Sequence, residues 1–307
     1  MLGWDDAWSA EFEPCRNDGL KPGRIAAQHR GEYDVVTAET ELRARIAPRL
    51  RRSSSVAELP VVGDWVALGS DGVIHRVLPR RTVFSRRAAH DPAAGTPREQ
   101  VIAANVDVVF IVVPLGQELD RRLLERYVTL ALESGARPVI VLTKADLEPD
   151  SDAIALELAD IGGEIPVHAV ATKAGTGVES VRSYLTPGVT GALLGPSGAG
   201  KSTLVNALVG DEDLLATAAV RADGAGRHTT TRRQLVQLPG GGLVIDNPGM
   251  REVHLWLADD GLAEAFEDIV ELAAECRFAD CSHETEPGCA IRAALDDGRL
   301  AGERWES

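Results

Sequence analysis

One stretch constrains this chain more than any other: Gly195-Pro196-Ser197-Gly198-Ala199-Gly200-Lys201-Ser202, followed by Thr203. It satisfies G-x-x-x-x-G-K-[ST], a pattern that carries meaning only between a strand and a helix. The flanks supply both, since VTGALLG ahead of it is a buried-strand run and STLVNALVG behind it is helical. The glycines let the backbone curl so that successive N–H groups face a phosphate at the helix N-terminus. Lys201 can then reach the β- and γ-phosphates, and the Ser202 hydroxyl can ligate Mg²⁺. Only four lysines occur in the chain (Lys21, Lys144, Lys173, Lys201), so a lysine at this point does not follow from abundance.

Such a loop needs a sheet around it. VDVVFIVVP, ARPVIVLT, PVHAV, VTGALLG and GGLVID are continuous apolar runs, and helical stretches such as 120–133 and 153–160 lie between them. Strands apolar on both faces, alternating with helices, indicate a mostly parallel sheet covered on both sides. The run ARPVIVL ends in Thr143-Lys144-Ala145-Asp146. Asp146 there can accept two hydrogen bonds from guanine N1 and N2, a donor pair that adenine lacks, while Lys144 lies along the ring face. Asp246-Asn247-Pro248-Gly249 ends the run GGLVI, placing a carboxylate for Mg²⁺ and the Gly249 amide for the γ-phosphate. Gly226-Arg227-His228-Thr229-Thr230-Thr231 precedes that strand, and its threonines are candidates for a Mg²⁺ ligand that orders with the triphosphate. The base reader thus comes before the phosphate loop. In most GTPases it comes last, so the order implies a circular permutation of the usual sheet.

At 307 residues, 44% of them apolar, the chain suits two or three domains with real cores. Its longest apolar run, Val106 to Leu115, is broken by Asp107 and Pro114 and cannot span a bilayer. The N-terminus has Asp5, Asp6 and Glu11 among scattered tryptophans, without a basic start and apolar run, so a cytoplasmic protein is expected. The net charge of −15 is uneven: residues 1–100 hold 15 basic and 14 acidic residues, leaving 17 and 33 beyond them. Arginines cluster at Arg43, Arg45, Arg49, Arg51 and Arg52, and again at Arg76, Arg80, Arg81, Arg86 and Arg87. Local patches set the field that a phosphate backbone meets, although solvated strand edges explain the same residues. Short β-type runs over 20–90 suggest a five-stranded oligonucleotide-binding (OB) barrel, and the polar run 86–100 reads as a linker. Cys276, Cys281, His283 and Cys289 form C-x4-C-x-H-x5-C, a closed Cys3His set suited to one structural zinc. Cys15 stands alone and reads as ordinary, and His168 and His254 read as packing or surface residues.

Over nearly its full length the chain resembles the ribosome small-subunit-dependent GTPase A (RsgA/YjeQ) family. The similar segments are GRIAAQHRGEYDV, VVGDWV, VLPRRTVFSRR, EQVIAANVDVVFIV, GPSGAGKSTLVNAL, GRHTTT, DNPGMRE and CRFADCSHETEPGCAI. The resemblance implies an α/β chain with an N-terminal OB-fold β-barrel that binds RNA (1–95), a circularly permuted P-loop GTPase domain (96–255) and a C-terminal helical zinc-binding domain (256–307). It implies hydrolysis of GTP to GDP and phosphate, stimulated by the 30S subunit and its 16S rRNA during late assembly; with no coiled-coil or repeat signal in the sequence, a cytoplasmic monomer with no membrane partner is expected. Thr143 stands where many relatives have Asn, and Asn247 where Thr is usual. The sequence ends soon after Trp305, and so short a C-terminal extension is expected either to weaken subunit contacts or to mark a shorter member. Met250 occupies the place of the water-orienting glutamine of Ras-like GTPases, a task a thioether cannot perform. The family resemblance gives His228, with Thr230, the catalytic part instead. Three rivals remain: a GTPase regulating a non-ribosomal protein, a P-loop phosphotransferase or ATPase, and a passive RNA-binding module. Asp146 argues against the ATP enzyme. Hydrolysis with and without 30S subunits separates the others.

Overall fold

Five short strands lie near the N-terminus: β1 (Lys21–Gln28), β2 (Tyr33–Val36), β3 (Glu41–Ile46), β4 (Trp65–Leu68) and β5 (Val73–Val77). Strand β2 alternates buried and half-buried residues, and β1 and β4 are buried over most of their length, as in a small closed barrel covered from outside. Their order is β1-β2-β3-β5-β4, and β4 pairs back onto β1 to close the ring. Only β3 and β5 run parallel. Ile25, Tyr33, Val35, Ala44, Val66, Leu68 and Ile74 fill the interior. Gly23 permits the tight closure, because a Cβ there would lie 2.6 Å from the Val35 side chain and 2.7 Å from that of Leu68. This is the expected OB arrangement.

The computed structural model describes residues 2–29, 31–87, 99–116, 119–161, 165–210 and 234–246, together with Leu272, Cys276, Cys281, His283, 288–297 and 299–300. The chain divides into two units, Met1–His254 and Leu255–Ser307. Among the described residues no helix is long and apolar enough to cross a membrane.

Two elements of the first unit went unread in the sequence. Helix α1 (Asp6–Asn17) is capped by Asp5, whose carboxylate accepts from the Trp8 amide. Its Trp8, Phe12 and Cys15 pack with Trp65, Ala67 and Leu78 against the barrel. Cys15 is therefore an ordinary core residue. A short helix, α2 (Pro48–Ser53), follows β3 and carries the exposed Arg49, Arg51 and Arg52. The supposed linker is corrected at both ends: β6 (Val83–Arg87) pairs antiparallel with β7 (Glu99–Ala104), so residues 86, 87, 99 and 100 belong to a ribbon. Residues 88–98 lie outside the described part.

Beyond the ribbon come β8 (Val108–Pro114), α3 (Arg121–Glu133), β9 (Arg137–Thr143), α4 (Ser151–Ile161), β10 (Val167–Val170), α5 (Val178–Arg182), β11 (Thr190–Leu194), α6 (Lys201–Val209), β12 (Gln234–Gln237) and β13 (Leu243–Asp246). Their order is β10-β9-β8-β11-β13-β12, parallel except for β12. The strand feeding the glycine loop sits between β8 and β13 although it is the fourth of the six in sequence. That is the permuted sheet. Phe110, Val112, Val139, Val141, Leu193, Leu204 and Leu208 form part of its core, buried by runs that are apolar on both faces. A single register pair, Ala27 with Gln234, joins β1 of the barrel to β12, so the two sheets are one.

Candidate functional site

The glycine loop leaves the C-terminal end of β11, where open α/β sheets bind ligands at a change of strand order. Gly195 has φ of +147°, and a Cβ on it would lie 2.2 Å from the Val112 carbonyl oxygen of β8. No side chain fits there, so the backbone of the loop lies directly on β8. Gly198 and Gly200 also have positive φ, at +75° and +92°. Gly200 is the N-cap of α6 and offers no side chain to it, which leaves the first turn open to an anion. Lys201 is buried, and its Nζ donates to the carbonyls of Gly195 and Pro196 at 2.6 Å each. Those bonds hold the ammonium over the loop. Ala199 is buried beneath it, Pro196 and Ser202 are half-buried, and Ser197 and Thr203 are exposed.

The proposed base loop begins at the end of β9. Thr143 is 1% exposed, and its hydroxyl donates to the Ala199 carbonyl at 2.5 Å. A hydroxyl has one proton to give, so this bond commits it to the phosphate loop rather than to a base. Residues 143 and 199 are far apart in sequence, yet the two loops are in direct contact. Lys144 has φ of +59°, a left-handed turn that swings the chain into the short 3₁₀ segment Ala145–Leu147. Asp146 is exposed on it. The backbone of Asp246 ends β13, next to β11. His228, Thr230 and Gly249 lie outside the described residues, as do Asn247, Met250 and His254.

In the second unit, the ligand atoms of Cys276, Cys281, His283 and Cys289 all lie within 4.8 Å of one another. His283 Nδ1 is 3.6 Å from Cys276 Sγ and 3.4 Å from Cys289 Sγ, and the latter two sulfurs are 3.9 Å apart. Tetrahedral zinc with bonds of about 2.0–2.3 Å requires ligand separations of about 3.5–3.8 Å, close to the three distances among Cys276, His283 and Cys289. None of the three thiols is in a disulfide. Helix α7 (Ala290–Asp296) starts at Cys289, and the amides of Ala290 and Arg292 donate to the sulfurs of Cys276 and Cys289. Burial works against ionisation at Cys276, but amide hydrogen bonds from Ala290 and Ile291 bring its pKa below the usual thiol value. Burial and the neighbouring sulfurs push Cys281 up to about 11. Three thiolates so close together need a cation to coexist.

The arginines sort into two kinds. Arg80 donates through Nε and Nη2 to the wholly buried Asp64, and Arg81 forms a two-pronged pair with Asp5 while lying 4.2 Å above the Trp8 ring. Arg81 and the α1 cap hold the Asp5 carboxyl at about 2. Arg43 and Arg45 pair with Glu32, and Arg43 also with Asp34. These arginines already face carboxylates of the chain, and only the Arg80–Asp64 pair is buried. Arg49, Arg51 and Arg52 are exposed on α2 instead. His168 bonds Tyr184 through Nε2 at 2.8 Å, a packing role, and burial lowers its pKa. Sequence reasoning missed Arg24, which is buried in β1 and bonded to four other segments; the one signal was a charged residue inside an apolar strand.

Residues 77–256 match the family model described as RsgA GTPase. A curated protein of Opitutus terrae, "Small ribosomal subunit biogenesis GTPase RsgA", is 46% identical over 321 aligned positions covering 100% of this chain and 86% of its own length. Among solved structures, YjeQ from Thermotoga maritima superimposes with a TM-score of 0.56 at 25% identity, covering 94% of this chain and 95% of that one. YloQ, described as a circularly permuted GTPase, superimposes with a TM-score of 0.51 at 23% identity, over 94% and 92% of the two chains, and shows the fold.

Proposed function

The chain belongs to the RsgA GTPase family and is a GTP hydrolase, and from that premise we propose that it acts in late assembly of the small ribosomal subunit, with 30S particles stimulating its turnover. The observation that carries the catalytic half is the Thr143–Ala199 bond, which locks a phosphate loop to a base loop. In this reading Asp146 and Lys144 hold guanine, and Thr143 positions both loops. The amides from Gly195 to Thr203 cradle the phosphates, and Lys201 exchanges loop carbonyls for phosphate oxygens. Ser202, Asp246 and Thr230 would hold Mg²⁺, which when bound neutralises charge on the transferring phosphoryl group. Gly249 senses the γ-phosphate. Water attacks the γ-phosphorus, the bond to the β–γ bridging oxygen breaks, and GDP and phosphate leave. His228 and Thr230 complete the arrangement for that attack, with Met250 at the usual glutamine position.

The ribosomal half rests on the names of the relatives and on the barrel. We assign 1–95 to the OB domain, 96–255 to the GTPase domain and 256–307 to the zinc domain. Arg49, Arg51 and Arg52 meet 16S rRNA phosphates, and one zinc on Cys276, Cys281, His283 and Cys289 folds the C-terminal domain. The protein works as a cytoplasmic monomer. Single-turnover GTP hydrolysis with and without purified 30S subunits tests this: the free chain should turn over at roughly 10⁻⁴ to 10⁻² s⁻¹, the range of a site without an added catalytic group. Stimulation of about a hundredfold or more is expected, which requires only about 3 kcal/mol of barrier lowering. A fast rate that ignores 30S subunits would remove the ribosomal assignment.

A further inference from the structure

Arg24 makes an unusual set of contacts for a barrel residue. Its side chain is 2% exposed. Nε donates to the Gly63 carbonyl at 3.2 Å, within the barrel, and Nη1 donates to the Leu2 carbonyl ahead of α1 at 2.5 Å. Nη2 donates to the Asn105 carbonyl at 3.1 Å and to Thr190 Oγ1 at 2.9 Å. The guanidinium also lies 5.4 Å from the centre of the Trp65 ring. Burying a charge this fully is costly and lowers its pKa to about 10. A full set of acceptors, with the charges of Asp107 and Asp64 nearby, offsets that cost.

Thr190 is the far end of this contact, and it is the first residue of β11. It is wholly buried. Its amide donates to the Asp107 carboxylate at 2.7 Å, and its carbonyl accepts from the Asp107 amide at 2.8 Å. The strand runs from Thr190 into Gly195, where the phosphate loop begins, between partners on both sides. Gly188, just ahead of it, touches Gly3: a Cβ on Gly3 would lie 2.5 Å from the Gly188 carbonyl oxygen. So the base of β11 is gripped from the barrel side by one guanidinium and by the N-terminal segment.

We propose that Arg24 is a positioning residue for GTP hydrolysis, a strut from the barrel to Thr190 that links what the barrel touches to the setting of the phosphate loop. It rests on the reading of the chain as a 30S-stimulated GTPase. A second connection exists, the Ala27–Gln234 pair between β1 and β12. The test therefore has to cut the strut alone. Thr190→Val is nearly isosteric, removes one acceptor and leaves Arg24 three others. Thr190→Ser restores the acceptor.

Two measurements on the full chain decide it. In the first, amide hydrogen exchange is followed with and without saturating Mg·GDP, with no ribosomal particle present. In the wild type, nucleotide should slow exchange in 21–28 and 61–64 of the barrel as well as in β11. Thr190→Val should confine the slowing to the GTPase sheet, and Thr190→Ser should return it to the barrel. In the second, the basal rate of Thr190→Val should stay within about twofold of wild type while 30S stimulation falls about tenfold, the equivalent of one hydrogen bond to a charged group. Barrel amides that ignore nucleotide in the wild type, or respond equally in Thr190→Val, overturn the strut; in the second case the β1–β12 pair carries the signal. Undiminished stimulation in Thr190→Val also overturns it. A wild type that 30S subunits do not stimulate counts against the proposed function, and the exchange measurement still decides the strut.

Discussion

The glycine loop and the thiol cluster are both candidate ligand sites, but they are built in opposite ways. Around Gly195–Lys201 the backbone supplies the geometry: positive-φ glycines, contact with β8 at Val112, two carbonyls on Lys201 and one hydroxyl from Thr143. Every polar group named there already has a partner in the protein. At Cys276–Cys289 the protein supplies mainly donors. Among the described residues, Ile291, Ala294 and Leu300 pack with the cysteines, with Leu272 and Leu295 at the margin. A site of the first kind is preorganised by its fold. A site of the second kind lends its fold to the ligand, because the binding energy is also the folding energy.

The largest effect should come from breaking the second site. Cys289→Ser, or chelation of the metal, is expected to remove most of a contribution on the order of 10 kcal/mol and unfold the C-terminal unit. Limited proteolysis and zinc content report the loss, while GTP affinity stays within a few-fold of wild type. If GTP binding fell in parallel, the contrast between the two sites would be wrong.

The matching cut at the first site is specific rather than global. Asp146→Asn removes the acceptor for two guanine donors, worth about 3 kcal/mol together, and offers xanthine an amide. Titration calorimetry should show GTP weakened more than a hundredfold and XTP gained, with no change in thermal midpoint. Retained GTP affinity would move the base loop elsewhere.

The smallest effect sharpens the argument about preorganisation. Thr143→Val leaves the Ala199 carbonyl without its donor, a cost of about 1–2 kcal/mol. It should weaken GTP, GDP and XTP alike, since it loosens the junction of two loops and touches no base. A loss confined to guanine nucleotides would return Thr143 to base recognition.

Legibility followed the range of the interactions. The strands β8, β9 and β11 were readable because burial on both faces writes itself as a continuous apolar run, and the loop glycines were readable because their purpose is local. Helix α1 escaped notice because it has charged residues and Pro14 inside it, although Trp8, Phe12 and Cys15 do recur on one face. The ribbon β6–β7 was hidden by its composition: RRAAHDPAAGTPREQ has turn residues and charge where a linker would also have them. Arg24 was hidden more deeply. Two of its acceptors lie 81 and 166 residues away, and nothing in the neighbourhood of GRIAA announces them. Thr143 was seen as a departure from the relatives, but the carbonyl 56 residues on that gives the departure its purpose could be found only in space.

The pairing of Ala27 with Gln234 carries a consequence for how the chain is made. Strand β1 leaves the ribosome early, and its partner β12 follows only after some two hundred further residues, about 10–40 s at ordinary rates of synthesis. The permutation has the same effect on β8, which pairs with β9 at once but waits for β11 to cover its other edge. A nascent chain thus leaves the Ala27 end of β1 and one edge of β8 uncovered at the same time, both with unpaired backbone. The strands that follow the barrel in sequence cover both: β11 takes the free edge of β8, and β12 takes the end of β1 that β4 leaves uncovered.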